Sequence, residues 1–561
     1  MFYNLYLYIF FYIFILFSTI GYGFLFLNIG NYSKKNYNFG YAGLFGIFFM
    51  LGYAYISNLI LAHGKLHNLI FLSIGVFIFT YFYFKKFKNL KKELSLIFLI
   101  FLILFIASLI FKTHDDFAYY HFPYSYYLTQ TDFMIGVGQF NHGFRTPSSI
   151  FYINSLMYLP IIEFNLLHQP SIMIMGFTNI ILLKKIEENF LEKKISFTGF
   201  YCLLALMFIN IFFYRISEHG TDRSAQILIF LLILEIILFI ISDKDKKQTI
   251  NNIYILLALI ISLKAFYFLY TLFIFPILYF VLKNGNYKIF FNLFFRNFYF
   301  FSFIFIIFFT LFNNFFNSGC FIYPVNITCV GGIDWAIPLS EVSAMNDWYE
   351  QWSKGGAGPN FRIENPENYI QGFNWVSNWT NVYFFTKVSD FILGILLISL
   401  VLIITFYTKR KKIFYFKNYP TITYLILILL LIEWFYNHPA LRYGGYTLIC
   451  LLIFIPLSYL LERMENLFPK TKYKFIFLIC LVFVIFTSRN INRIFVEIKQ
   501  YNYKPLTDVF YDMKGNHYMI TDNIFKLTTN YENCILKKNT CNKKLNIKIR
   551  KNNGKYVFQN R

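Results

Sequence analysis

Residues 93–121 read ELSLIFLIFLILFIASLIFKTHDDFAYYH, an apolar run that ends on the acidic pair Asp115-Asp116, flanked by His114 and His121. A helix needs ~20 consecutive apolar residues to cross the hydrocarbon core of a bilayer. Ionisable groups at the mouth of such a run are costly to hold there, and so mark a functional site.

Outward from this stretch the same pattern recurs, and runs near 5–29, 40–62, 67–84, 93–111, 166–183, 196–214, 224–242, 252–265, 267–282, 298–313, 389–407, 420–436, 444–461 and 474–488 predict fourteen helices. Hydrophobic residues make up 57% of the 561 and charged residues only 14%, more apolar surface than a soluble domain could hide. The sequence therefore predicts an all-α polytopic membrane protein with about 12–14 transmembrane helices. Residues 1–488 form the membrane domain, with large loops at 112–165 and 314–388, and 489–561 a small polar C-terminal appendage. No internal repeat, Gly/Ser linker or heptad seam interrupts this partition. The first run is longer than a signal-peptide core and lacks a basic start and a small-residue cleavage site, so it is read as a retained span.

A net charge of +23 raises the possibility of a nucleic-acid partner, but Lys and Arg occur in short clusters between runs rather than along one face. They set orientation instead. Lys34-Lys35, the group from Lys85 to Lys92, Lys184-Lys185, Lys244 to Lys247 and Lys409 to Lys412 all fall on one side, which becomes the cytoplasmic side. Loops 112–165 and 314–388 then lie outside, as does the tail, whose own basic residues run against the rule. The short pair of runs around Lys264 carries the parity: if it does not make two crossings, everything after it flips.

Of seven cysteines, Cys202, Cys450 and Cys480 fall in runs, Cys320 and Cys329 share the 314–388 loop, and Cys534 and Cys541 share the tail. Close pairs in outer segments suit disulfides; the alternative is four free thiols. A zinc site would need four ligands, and no His stands near either pair at suitable spacing.

Four groups of residues can carry chemistry. Asp115 and Asp116 precede an interfacial stretch of Tyr and His; such a carboxylate can act as a general base or hold a divalent cation, Mg or Mn, or merely cap a helix. The Gly-rich stretch 136–149 carries Arg145, whose planar fork suits phosphate oxygens. Polar residues recur at the same ends of later runs: Arg215, Glu218, His219, Asp222 and Arg223; then Lys264; then Glu433, His438 and Arg442. The residues expected to share one substrate or phosphate pocket are His121, Arg145, Asp222, Arg223, Lys264, His438 and Arg442; singly, each also fits a structural ion pair or a snorkelling contact. The 314–388 loop holds Trp335, Trp348, Trp352, Trp375 and Trp379, which suit stacking on sugar rings, packing on acyl chains or simple anchoring.

Many apolar spans, an acidic motif in an outer loop and cations at later outer turns together resemble the GT-C class of membrane glycosyltransferases. More narrowly, the motif at 116–121, Gly-Phe-Arg-Thr-Pro-Ser-Ser at 143–149 and the Cys-containing stretch 318–335 resemble a bacterial family of large membrane proteins named for a Leptospira member. The likeness covers about 110–380. It implies a sugar donor linked to polyprenyl phosphate, a glycan, lipid or protein acceptor, and a location in the bacterial inner membrane with the active site facing the periplasm or exterior. Asp115 or Asp116 would be the catalytic carboxylate, and Arg145, Lys264 and Arg442 would face the phosphate. The departure is that three spans precede the acidic loop's own span, where better-known members have their acidic loop after the first. A polysaccharide polymerase or ligase is a close alternative; a transporter or flippase for lipid-linked oligosaccharide, or a structural membrane protein, are more distant ones.

Overall fold

The computed structural model describes residues 3–32, 38–86, 91–110, 114, 116–217, 220–241, 246–283, 287–358, 361, 363–408, 421–464, 468–502, 504–507, 519–536 and 547–560. In chain order the helices are α1 Tyr3–Ile29, α2 Phe39–Ile60, α3 Lys65–Lys86, α4 Lys91–Ser108, α5 Phe122–Gln130, α6 Ser149–Ser155, α7 Gln169–Leu191, α8 Phe197–Phe212, α9 Gly220–Ile241, α10 Lys246–Leu263 and α11 Ile274–Lys283. There follow α12 Tyr287–Phe294, α13 Phe298–Ser318, α14 Leu339–Lys354, α15 Pro366–Ile370, α16 Val376–Trp379, α17 Ser389–Phe406, α18 Thr421–Asn437, α19 Gly445–Arg463, α20 Phe468–Tyr501 and α21 Met519–Tyr531. A single antiparallel hairpin, β1 Ile547–Asn552 and β2 Lys555–Asn560, closes the order.

A helix stands at every run marked in the sequence, and among the described residues nine are long and apolar enough to cross a membrane. Helices α8 and α18 are apolar but shorter. The chain is therefore an all-α polytopic protein. Helix α9 is buried almost all round, whereas α3, α13, α17 and α20 turn rows of Phe, Leu and Ile outward. An apolar perimeter of this extent is what lipid, not water, would cover.

Small residues bring the first helices together. A Cβ on Gly23 would lie 1.7 Å from the Ala42 carbonyl oxygen, one on Gly46 would lie 1.8 Å from that of Thr19, and one on Gly21 would lie 1.9 Å from that of Gly75. Where lipid tails are as apolar as side chains, such close backbone approach supplies the packing energy that a hydrophobic drive cannot.

Some expected boundaries move. Helix α7 continues past residue 183 because its charged last turns are paired: Lys184 with Glu187 at 3.0 Å and Glu93 at 3.4 Å, and Lys185 with Glu188 at 3.0 Å. Helix α20 runs through the expected domain boundary at 488. Arg489 there donates to the Ile211 carbonyl at 2.6 Å and lies 3.7 Å from the Tyr214 ring centroid, so a polar signal that predicts an end is absorbed by a neighbour. The loop expected at 314–388 shrinks to 319–375, because α13 continues to Ser318 and an apolar helix begins again at Val376.

The tail is docked rather than appended. Ile135 donates its N–H to Tyr556 and accepts that of Phe558, both at 2.9 Å, so β2 pairs with the loop after α5. Lys555 is ion-paired with Asp132, Phe558 is fully buried against Phe140 with ring centroids 4.9 Å apart, and Arg550 meets Asp334 at 2.8 Å. Phe525 of α21 packs on Tyr126 and Tyr127. Phe→Ala in a packed core costs ~3–5 kcal/mol, so Phe558→Ala is expected to free the hairpin, read as a tenfold or greater rise in protease cleavage at the Asn553-Gly554 turn; an unchanged cleavage rate would show that the pairing does not hold the tail.

Cys320 and Cys329 form a disulfide that pins the loop after α13. Cys534 is also disulfide-bonded, and Cys541 lies outside the described residues. Cys202, Cys450 and Cys480 are free thiols.

Candidate functional site

One end of the bundle holds a cavity of about 570 Å³. Three breaks in the chain shape it, and each has a local cause.

The first follows α4, where the chain leaves helix and re-enters it as a π-helical turn, Phe117–His121, with Asp116 just before it. The second is at Lys264. Helix α10 stops at Leu263, Lys264 is extended at φ −160°, and the chain resumes as a 3-10 segment, Ala265–Phe273. Irregular backbone amid apolar helices is tolerated where it lines a cavity, and the break projects the Lys264 side chain into this one. The third is the turn between α18 and α19. Gly444 has φ 100°, which disfavours any side chain, and a Cβ on Gly445 would meet the Trp434 ring at 2.4 Å. Trp434 and Trp379 donate their indole N–H groups to the carbonyls of Ala440 and Pro439 at 2.9 and 3.1 Å. Gln226 donates to the Arg442 carbonyl at 3.0 Å. The turn is fixed on both sides, and Arg442 with it.

These breaks assemble one ion-paired chain. Arg442 reaches Asp116 Oδ2 through Nη2 and Asp222 Oδ2 through Nε, each at 3.2 Å. Lys264 Nζ closes on Asp222 Oδ1. His114 Nδ1 stands 3.3 Å from Asp116 Oδ2. The Arg442 guanidinium lies over Trp352 at 5.4 Å and Tyr443 at 5.7 Å, and Lys264 over Tyr443 at 4.7 Å. Burial pushes the Asp116 carboxyl up, but the His114 ring and the Arg442 guanidinium outweigh it and hold the group well below the usual carboxylate range. Burial alone would lower the Arg442 guanidinium, yet Asp222 and its neighbours keep it charged.

Asp116, Lys264, His438 and Arg442 all line the cavity, with Asp222 immediately behind the two cations. The remaining predicted residues stand elsewhere. Asp115, Glu218 and His219 lie outside the described residues. Arg145 does not face the cavity: it donates through Nε to the Gly138 carbonyl at 3.2 Å, through Nη1 to the Tyr323 hydroxyl at 2.5 Å, and through Nη2 to Glu341. Its fork is spent on tying the Gly-rich loop to the disulfide loop. Arg223 points away from its neighbour Asp222, because adjacent residues on a helix diverge by about 100°, and sits over Phe213 at 5.7 Å. His121 is buried against Phe151 behind the cavity wall, and burial lowers its pKa to about 3, leaving the ring neutral.

Residues outside the expected substrate or phosphate set complete the walls. Tyr443, Tyr349 and Tyr120 add aromatic surface, and Trp348, 41% exposed, stands at the rim. Phe266, Phe268 and Leu269 of the 3-10 segment form an apolar side, with Leu269 39% exposed. The Trp-rich loop was the available signal for Trp348 and Trp352. Glu433 was signalled only as a polar residue at the end of its run, beside His438 and Arg442. Among the described residues no three His, Cys, Asp or Glu side chains gather in a way that could hold a metal ion.

No curated protein and no solved structure matches the chain. A family description, Domain of unknown function (DUF8201), matches residues 5–449, a stretch that takes in every cavity-lining residue from Asp116 to Tyr443, and the chain belongs to that family.

Proposed function

We propose that the chain is an integral-membrane glycosyltransferase of GT-C-like architecture. It moves a sugar from a polyprenyl-phosphate donor to an envelope glycan, lipid or protein. The fourteen helical runs act as crossings, and the cavity opens on the periplasmic or exterior side of the inner membrane. The observation that carries this reading is that Lys264 and Arg442, anchored by Asp116 and Asp222, meet one cavity whose Phe266–Leu269 side is apolar.

Glycosyl transfer from such a donor breaks a bond between C1 of the sugar and a phosphate oxygen. Negative charge grows on that oxygen, and fixed cations aimed at it lower the barrier most. Lys264 and Arg442 are fixed by their carboxylates before any ligand arrives. The prenyl chain would leave through the apolar side while the phosphate stays at the cations. The hairpin's pairing with Ile135 and Asp334 fits a tail on the same side as the loops that carry them.

The test uses the full chain in vesicles of phosphatidylethanolamine and phosphatidylglycerol, with undecaprenyl phosphate as probe. A charge-assisted hydrogen bond contributes ~1.5–3 kcal/mol, or roughly 10- to 150-fold in affinity, so Lys264→Gln is expected to raise Kd for the probe by at least tenfold. Equal affinity in the variant would remove the phosphate role. Movement of labelled lipid across the bilayer without sugar transfer would make the chain a flippase.

A further inference from the structure

Among the described residues two carboxylates, Asp116 and Glu433, line this cavity and a third, Asp222, stands behind its cations, and they are not equivalent. Asp116 is shared between Arg442 and His114, and Asp222 between Arg442 and Lys264. Glu433, in the last turns of α18, also lines the cavity and makes no ion pair among the described residues. Its Oε1 accepts one hydrogen bond, from Asn437 Nδ2 at 3.1 Å. Its Oε2 is buried without any hydrogen-bond partner. Five residues on, His438 lines the same cavity, and its Nδ1 is likewise buried and without a partner.

Buried polar atoms in native proteins are overwhelmingly satisfied, and exceptions call for a ligand or a chemical role. Two such atoms in a cavity that Trp348 and Trp352 also line match a molecule rich in hydroxyls with flat apolar faces between them. That is the chemistry of a carbohydrate. A carboxylate already held by a guanidinium or an ammonium is a poor proton acceptor, whereas one with a vacant oxygen keeps its basicity.

On the reading of the chain as a glycosyltransferase, we propose that Glu433 is the catalytic base, that it acts with His438 on a hydroxyl of a carbohydrate acceptor, and that Asp116 and Asp222 are positioning residues for the two cations. The acceptor oxygen forms its bond to C1 of the donor sugar as its proton passes to Glu433 Oε2. The bond from C1 to the phosphate oxygen breaks, and its electron pair stays on that oxygen, facing Lys264 and Arg442. The products are the lengthened glycan, the polyprenyl phosphate and a protonated Glu433, which returns its proton to water.

The experiment compares wild type with Glu433→Gln, a near-isosteric change, as full chains in the same vesicles. Undecaprenyl phosphate binding reports on the fold and the phosphate site, and is expected to stay within twofold in the variant. Transfer from a panel of undecaprenyl-phosphate-linked hexoses to short oligosaccharides is expected to fall by roughly 10²–10⁴, the usual contribution of a positioned base, with loss of the acidic limb of the pH profile. Dicyclohexylcarbodiimide, which favours carboxyl groups free of cations, is expected to label Glu433 ahead of Asp116 and Asp222 in mass-mapped peptides. Transfer by Glu433→Gln at the wild-type rate, or preferential labelling of Asp116, overturns the assignment. A wild type that binds no undecaprenyl phosphate overturns the underlying reading, a result distinct from either.

Discussion

On the glycosyltransferase reading, Arg442→Gln is expected to lower sugar transfer by roughly 10²–10³ in kcat, the scale seen when one preorganised donor to a developing anion is lost. The effect exceeds that of removing Lys264, because Arg442 joins both carboxylates. Its Nη2 and Nε each stand 3.2 Å from a different Asp, so the variant loses a cation and leaves Asp116 and Asp222 without their common neighbour. Stability falls as well, by about 2–3 kcal/mol, below the ~3–5 kcal/mol of a fully buried pair because the Arg442 side chain is 34% exposed. Arg442→Lys separates charge from shape: it keeps the cation but cannot reach both carboxylates with one planar fork, so it is expected to recover the stability in part and little of the rate. Full recovery of the rate by lysine would mean that charge alone matters, and that the fixed turn from Pro439 to Gly444 has no bearing on the chemistry.

Gly23→Ala is expected to destabilise at or above the ~3 kcal/mol upper end usual for overpacking. The new methyl would lie 1.7 Å from the Ala42 carbonyl oxygen, and backbone cannot rotate aside as a side chain can. Helices α1 and α2 must separate, and Gly46, whose own Cβ would meet the Thr19 carbonyl at 1.8 Å, sits in the same crossing. Gly64→Ala is the control, since nothing lies within 4 Å of its added carbon. Thermal unfolding in detergent should show a drop of several degrees or more for the first and none for the second; equal midpoints would mean that the helices tolerate a wider crossing.

Much of the helical layout was legible because each run is long and apolar, and apolarity over ~20 residues has few other outcomes. The Cys320–Cys329 disulfide was legible from two cysteines close together in one loop. So was the kinship of Asp116, Asp222, Lys264 and Arg442, since charges at the same ends of successive spans have nowhere to go but toward one another. Arg145 misled because its partners are remote: Glu341 is 196 residues away and Tyr323 is 178 away, and no local pattern distinguishes a fork spent on protein from one left for a phosphate. Glu433 was seen only as one side of a turn. Its significance lies in what does not touch it, which no sequence displays. The helix expected to end at 488 continues to Tyr501, with Arg489 and Arg493 each over the ring of Tyr214, partners that no local pattern announces.

The strand pairing at Ile135 also orders the birth of the molecule. Asp132 leaves the ribosome long before Lys555, 423 residues later in the chain, and throughout that interval the nascent segment displays an unsatisfied edge. Open edges recruit whatever extended peptide is near, including the same segment of a sister chain. The late hairpin thus supplies the cap that ends this vulnerability, and chains stalled before residue 547 are the ones expected to cling to each other.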